Sequence, residues 1–163
     1  MIKLKKDKYL QILLFLCFIV LTTAYIIQYV LGFQPCSLCI IERIPYALAI
    51  IIILLNYKFR DDQIFYSILL LLVFLFSFII SLYHLGIEQG IISESSVCAS
   101  NNINLITKDE ILNSLQEIRI SCKDVAFRIF DLSLTTYNMI LSIIMFLISM
   151  KIYIINNGIK KQN

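Results

Sequence analysis

Charge is scarce in this 163-residue chain: Asp, Glu, Lys and Arg make up 15% of it, against 60% hydrophobic residues. Soluble domains lie nearer roughly 25% charged and about 45–50% apolar, so an ordinary soluble fold is excluded and a bilayer is the expected solvent. The net charge is only +3, and no basic excess remains for nucleic-acid binding once topology is considered. A cleavage site is missing too. The Lys-rich residues 1–8 lead into an apolar run longer than the roughly 7–15 residues of a signal-peptide core. Neither Thr22-Thr23-Ala24-Tyr25 nor the turn from Gly32 to Pro35 offers a place to cut, so the run reads as a membrane anchor. No internal repeat or low-complexity linker divides the chain, and one membrane domain over residues 1–163 is expected.

Crossing the hydrocarbon takes about 20 largely apolar residues. Residues 9–31, 63–85 and 132–155 supply them. A fourth stretch, Ile44–Tyr57, is charge-free for only 14 residues, but it reaches spanning length as 39–57 if Glu42 and Arg43 lie at the interface. The expected fold class is all-α, a four-transmembrane-helix bundle. Lys3, Lys5, Lys6, Lys8, Lys58, Arg60, Lys151, Lys160 and Lys161 fall on one side; Lys108, Arg119, Lys123 and Arg128, with interfacial Arg43, fall on the other. That bias places the N- and C-termini in the cytoplasm by the positive-inside rule and leaves a long periplasmic loop, 86–131. Within it, Thr107-Lys108-Asp109-Glu110 is a capping-box pattern ahead of Ile111, Leu112, Leu115 and Ile118, which predicts a short amphipathic helix. Tyr9, Tyr29, Tyr57, Tyr83 and Tyr153 stand near span ends as interfacial anchors.

Five cysteines are present. Cys17 lies mid-span and reads as a packed core thiol, while Cys36, Cys39, Cys98 and Cys122 all fall on the periplasmic side, where disulfides persist. Four thiols allow three connectivities; the Cys36-Ser37-Leu38-Cys39 spacing favours a local pair, with Cys98 and Cys122 closing a loop. The local pair leads into a helix, whose N-terminal amides and dipole favour a thiolate. Arg43, four residues after Cys39, is expected one turn along the same face, where a guanidinium favours a thiolate or a reduced anionic cofactor. Two plainer readings compete: both pairs are only structural disulfides, or the thiols bind zinc. The metal reading lacks a second close pair, because Cys98 and Cys122 are far apart, and no metal is expected. The single histidine, His84, lies near a span end, where an ionisable group points to function or to a satisfied interfacial side chain.

Three segments carry a family resemblance: Pro35-Cys36-Ser37-Leu38-Cys39-Ile40-Ile41-Glu42-Arg43, Tyr83-His84-Leu85-Gly86-Ile87-Glu88, and Phe127-Arg128-Ile129-Phe130-Asp131-Leu132-Ser133-Leu134. Together with Cys98 and Cys122, they make the chain resemble the disulfide bond formation protein B (DsbB) family over almost its whole length. Relatives often carry Trp where this chain has Phe127, and Gly-Leu-Ser where it has Asp131-Leu132-Ser133. The resemblance implies a quinone-dependent thiol oxidase of the bacterial inner membrane that reoxidises a DsbA-like periplasmic thioredoxin-fold oxidase. Its cofactor would be a quinone, ubiquinone or menaquinone. Cys36, Cys39, Cys98 and Cys122 would be the catalytic cysteines, with Cys98 meeting the partner's thiol and Cys122 coupling the loop pair to Cys36. Arg43, His84 and Cys39 would flank the quinone. A vitamin K epoxide reductase-like enzyme would place its Cys-x-x-Cys after the loop pair, whereas here it comes first; a non-enzymatic membrane scaffold would use the disulfides only to stabilise loops.

Overall fold

A computed structural model of the chain describes residues 2–59, 62–93, 98, 121–123, 128–129 and 132–162. Helix dominates it: α1 (Ile2–Tyr29), α2 (Ser37–Ile41), α3 (Ile44–Lys58), α4 (Gln63–Glu88) and α5 (Leu134–Gln162), with a two-residue pair of strands, β1 (Arg128–Ile129) and β2 (Leu132–Ser133), ahead of α5. Four helical stretches, Lys6–Tyr29, Ser37–Lys58, Gln63–Glu88 and Leu134–Gly158, are long and apolar enough to cross a membrane. The all-α, four-span expectation holds. The amphipathic helix expected after Thr107 lies outside the described residues.

The boundaries differ from the expected ones, and local chemistry accounts for each difference. Ser37–Lys58 is broken at Glu42 and Arg43, because Pro45 has no N–H to donate to the carbonyl of Ile41 and its ring crowds that turn. Proline is well tolerated in the first turn of the new helix, and α3 starts there, with Arg43 as its N-cap residue. The expectation that Cys39 and Arg43 share one unbroken helical face is therefore corrected. The fourth span begins at Leu134 and not at 132, because Arg128 pairs with Ser133 and Ile129 with Leu132 in an antiparallel ladder. Ser133 then caps α5, its Oγ accepting the Thr136 N–H at 3.3 Å. At the other end of the third span, α4 continues past 85 to Glu88 and stops at Gly90, whose φ of 72° suits a residue without Cβ. There the Gly90 N–H donates to Ile87 O and the Ile91 N–H to Gly86 O, both at 2.9 Å, satisfying carbonyls the helix leaves open.

The bundle closes in the order α1, α3, α4, α5 and back to α1, with α4 and α5 packed most extensively. Their buried residues follow alternating spacings of three and four: Ser67, Leu70, Phe74, Ser77, Ser81 and His84 on α4; Ser142, Met145, Ser149, Ile152 and Asn156 on α5. This is the heptad spacing of a left-handed seam. Half of it is small and polar because lipid competes with any apolar contact, so helices associate through close packing and interhelical hydrogen bonds. Ser77 and Ser142 hydroxyls lie 2.9 Å apart, Asn138 Nδ2 donates to Ser81 Oγ at 2.7 Å, and Asn156 Nδ2 donates to Ser67 Oγ at 2.6 Å. Cys17 is fully buried beside Leu10 and Leu13, within the cluster that holds Tyr46, Phe74 and Met145. Large apolar side chains on the outer faces, such as Phe15, Phe76 and Leu147, are exposed as lipid contact requires.

The seam generates a stability contrast. Ser77→Ala removes one interhelical hydrogen bond and should cost about 0.6 kcal/mol, whereas Ser77→Leu inserts methylenes against Ser142 and should cost about 1–3 kcal/mol. Reversible unfolding in mixed micelles measures both, and the order Leu worse than Ala is the expected result.

Candidate active site

The cysteine end of the bundle is built from the N-terminus of α2. Cys36 is its N-cap, with extended backbone (φ −69°, ψ 169°), and its sulfur accepts the Cys39 N–H at 3.2 Å. Pro35 before it favours an entry that is not yet helical, and two residues of helix then bring Cys39 back above Cys36, with the two sulfurs 2.7 Å apart. Both thiols are free, while Cys98 and Cys122 form a disulfide. Of the connectivities left open by spacing, the loop pair is formed, and Cys36 and Cys39 stand side by side as free thiols. Cys36, Leu38, Ile87, Cys98 and Cys122 are buried in one cluster, with Cys39, Ile41 and Tyr83 packed against it.

His84 reaches this cluster from α4. Its Nε2 lies 3.5 Å from Cys36 Sγ. Its Nδ1 lies 3.0 Å from Glu42 Oε1 and 3.4 Å from Thr135 Oγ1, and the Thr135 hydroxyl donates to Glu88 Oε1 at 2.7 Å. His84 is buried at 1% exposure and Glu42 at 7%, so protein groups satisfy the ring. The ligand atoms of Cys36, Cys39 and His84 all fall within 4.8 Å of one another. Two sulfurs at 2.7 Å are closer than tetrahedral zinc with bonds of about 2.3 Å would hold them, and nearer the disulfide bond length of about 2.05 Å.

Cys36 lies just outside the spanning segments. The hydrogen bond from the Cys39 thiol, with further help from the His84 ring and the Cys39 N–H, lowers its thiol from 9.0 to about 5, against an opposing contribution from burial. The helix-terminal thiolate expected from the Cys-x-x-Cys motif is thus on Cys36, and the ring facing it is that of His84. Arg43 is engaged elsewhere: its Nη1 donates to Gln28 Oε1 at 2.5 Å, and its guanidinium stands over the Tyr25 ring at 5.2 Å.

A cavity of about 350 Å³ opens beside the thiols. Ile19, Val20, Ala24 and Ile27 of α1 and Leu141 of α5 give it apolar walls, and Cys39, Arg43, His84, Gln28 and Asn138 give it a polar end. Cys36 and Cys122 reach the same space; Cys98 stands behind, bonded to Cys122. Of the sequence-derived candidates, Cys36, Cys39, Arg43, His84 and Cys122 are therefore brought to one cavity. Glu42, Thr135 and Glu88 were not among those candidates. Their signal was present: Glu42 follows Cys39 by three residues and Glu88 follows His84 by four, so each lies on a helical neighbour's face at membrane depth, where a carboxylate needs a reason.

The pH dependence of alkylation tests the site. In the fully reduced protein Cys36 should react with iodoacetamide as a thiolate above an inflection near 5 and lose reactivity as pH falls through it. The unfolded chain should show the ordinary thiol inflection near about 8.5. Cys39→Ala, which removes the largest favourable contribution, should move the Cys36 inflection upward; peptide mass spectrometry of the alkylated residue measures both.

Against this arrangement, comparison with known proteins is specific. The family model described as disulfide bond formation protein DsbB matches residues 6–152. An uncharacterized protein of Rickettsia prowazekii (strain Madrid E) is 36% identical over 151 residues, covering 86% of this chain and 85% of the relative. No solved structure matches. The family match reaches into all four spans and includes all five cysteines, and the chain belongs to the DsbB family of disulfide bond formation proteins.

Proposed function

We propose that this chain reoxidises a DsbA-like periplasmic thioredoxin-fold oxidase and delivers the two electrons to a membrane quinone. The family acts in disulfide bond formation by thiol–disulfide exchange, so the chain is an oxidoreductase of disulfides carried in a multi-pass membrane protein. The observation that carries the finer reading is the meeting of both cysteine pairs: the Cys98–Cys122 disulfide packs into the cluster that holds Cys36 and Cys39, and Cys122 and Cys39 face one cavity. Electrons entering at the loop pair have a short route to the Cys36/Cys39 pair and from there to whatever the cavity holds.

In this reading, starting with Cys36 and Cys39 joined, the partner's thiolate attacks Cys98 and releases Cys122, Cys122 attacks Cys36 and releases Cys39, the partner's second thiolate resolves its mixed disulfide and frees Cys98, and Cys98 then attacks Cys122, releasing Cys36 and restoring the loop disulfide. Each exchange moves one sulfur–sulfur bond, and together they leave Cys36 and Cys39 reduced. The low Cys36 pKa makes it a good leaving group in the last exchange. A DsbA-type oxidase has a potential near about −120 mV, so its reoxidation needs an acceptor more oxidising than glutathione at about −200 mV; a lipid-soluble quinone meets that need. The cavity fits one, with apolar walls for the ring and lipid tail and donors at one end for the oxygens. Arg43 and His84 would hold the head group beside Cys39, and a bound quinone would supply the two-electron acceptor. Arg43 is oriented for this by Gln28 and Tyr25. The asymmetry of Lys and Arg along the chain puts this end in the periplasm and both termini in the cytoplasm.

Two sets of variants test the reading. Cys36→Ser, Cys39→Ser, Cys98→Ser and Cys122→Ser should each abolish quinone reduction by a reduced DsbA-type partner, and Cys17→Ala should leave the rate within about twofold, since it only removes a packed thiol; full activity of Cys39→Ser would break the proposed electron path. Arg43→Ala should raise the quinone KM by on the order of tenfold, the loss of one charge-assisted hydrogen bond, while mixed-disulfide formation at Cys98 keeps its single-turnover rate. An unchanged quinone KM would remove Arg43 from the site.

A further inference from the structure

Exchange among four cysteines makes no use of Glu42 and Thr135, which meet the ring of His84, or of Glu88, which accepts the Thr135 hydroxyl. We propose that these three set the tautomer of His84 so that Nε2 is a base aimed at Cys36, with Glu42 as the principal positioning residue. The oxidant in the step below rests on the quinone reading above; the tautomer does not.

Counting protons fixes the tautomer. An ionised carboxylate can only accept hydrogen bonds, and a threonine hydroxyl has one proton to give. The Thr135 proton is committed to Glu88 Oε1 at 2.7 Å, so Thr135 presents a lone pair to His84 Nδ1 at 3.4 Å. Glu42 Oε1, at 3.0 Å, presents another. Two acceptors on one ring nitrogen require the proton to be there, and the neutral ring then carries its lone pair on Nε2, the atom 3.5 Å from Cys36 Sγ. Were Glu42 to carry a proton instead, it would donate to Nδ1 and Nε2–H would face the sulfur, leaving no base. The same logic orients the imidazole of a nucleophile–histidine–acid triad.

Oxidation of the Cys36/Cys39 dithiol releases two electrons and two protons as the sulfur–sulfur bond forms. The proton of Cys36 passes to His84 Nε2, leaving a thiolate next to an imidazolium that Glu42 also faces. With a bound quinone as the two-electron acceptor, the thiolate's electron pair would make the bond to Cys39 sulfur, and the two thiol protons would leave into the cavity, that of Cys36 by way of His84, which lines it. Moving the proton within a buried cluster keeps its net charge constant, which matters where an unpaired charge is costly.

Among the described residues, the other titratable or charged groups around Cys36 are Cys39 of α2, Arg43 between α2 and α3, Tyr46 of α3, Tyr83 and Glu88 of α4 and Tyr137 of α5, all packed on the cluster or lining the cavity; Cys98 and Cys122, in their disulfide, do not titrate. Glu42→Gln keeps the size of the side chain while offering Nδ1 a donor as readily as an acceptor, and it releases the tautomer without changing any of these groups.

The experiment uses the full chain, purified in detergent without quinone and fully reduced, and follows iodoacetamide alkylation of Cys36 against pH. In Glu42→Gln the inflection should rise by at least about one pH unit, an approximately tenfold slower reaction at about pH 4, below both inflections, narrowing to about twofold at pH 6. Glu42→Asp should recover part of the shift, and Thr135→Val should shift it less in the same direction. Nitrogen-15 histidine NMR of wild type above the ring's titration should show the proton on Nδ1, and Glu42→Gln should lose that preference. An unmoved inflection in Glu42→Gln whose helicity and melting match wild type, or a wild-type proton on Nε2, overturns the proposal. A shifted inflection in a protein that fails to reduce ubiquinone or menaquinone would instead retain the positioning role and reject the quinone reading.

Discussion

Within a bilayer an unpaired buried polar group is costly, and the contact between α4 and α5 is where this chain joins serine and asparagine side chains across a helix interface. Serine and asparagine at three-four spacing tie the two helices from Ser67 and Asn156 at one end to Ser81 and Asn138 near the other. The same row on α4, carried on past Ser81, brings His84 inward against Thr135. The site is thus an extension of the packing seam, with its polar pairs replaced by an ionisable ring held by Glu42 and Thr135. Tyr46 of α3 joins the seam through Asn138 and Ser142, which fixes the helix that follows the Cys-x-x-Cys segment relative to the one bearing His84.

Pro45 supplies the second element of the design. By interrupting the helix it frees the short α2 from the axis of α3, so that Cys36 and Cys39 at its start and Glu42 at its end curl around the His84 ring. Arg43, at the break, turns toward Gln28 and Tyr25 of α1. One interruption therefore sends a carboxylate and a guanidinium, adjacent in sequence, to different parts of the same cavity: Glu42 to the ring that faces Cys36, Arg43 to the wall shared with α1.

Much of this is legible in the order of residues alone. Long apolar runs identify spans because lipid demands them, and the spacing favours the arrangement in which Cys36 stands beside Cys39 and Cys98 bonds Cys122. The resemblance carried by the Pro-Cys-x-x-Cys-x-x-x-Arg segment points to the family that the family model matches. Boundaries and companions are harder to read. Leu132 and Ser133 look like the start of a span because they continue an apolar run, but backbone pairing with Arg128 and Ile129 holds them extended. Arg43 looks like a neighbour of Cys39 on one face because an unbroken helix is assumed, and Pro45 breaks it. Glu42 looks interfacial, as a charge near a span end usually is, yet it is buried against His84.

By itself the sequence determined how many times the chain can cross a membrane, which thiols lie together in the cysteine-bearing segments and which is packed away, because hydrophobic length and residue spacing are local properties that every fold of this chain must respect. The tertiary structure alone decided which groups surround those thiols. Glu42, His84, Glu88 and Thr135 come from three segments of the chain separated by tens of residues, and a hydrogen bond between them depends on rotation and depth to within an ångström, which no one-dimensional period encodes.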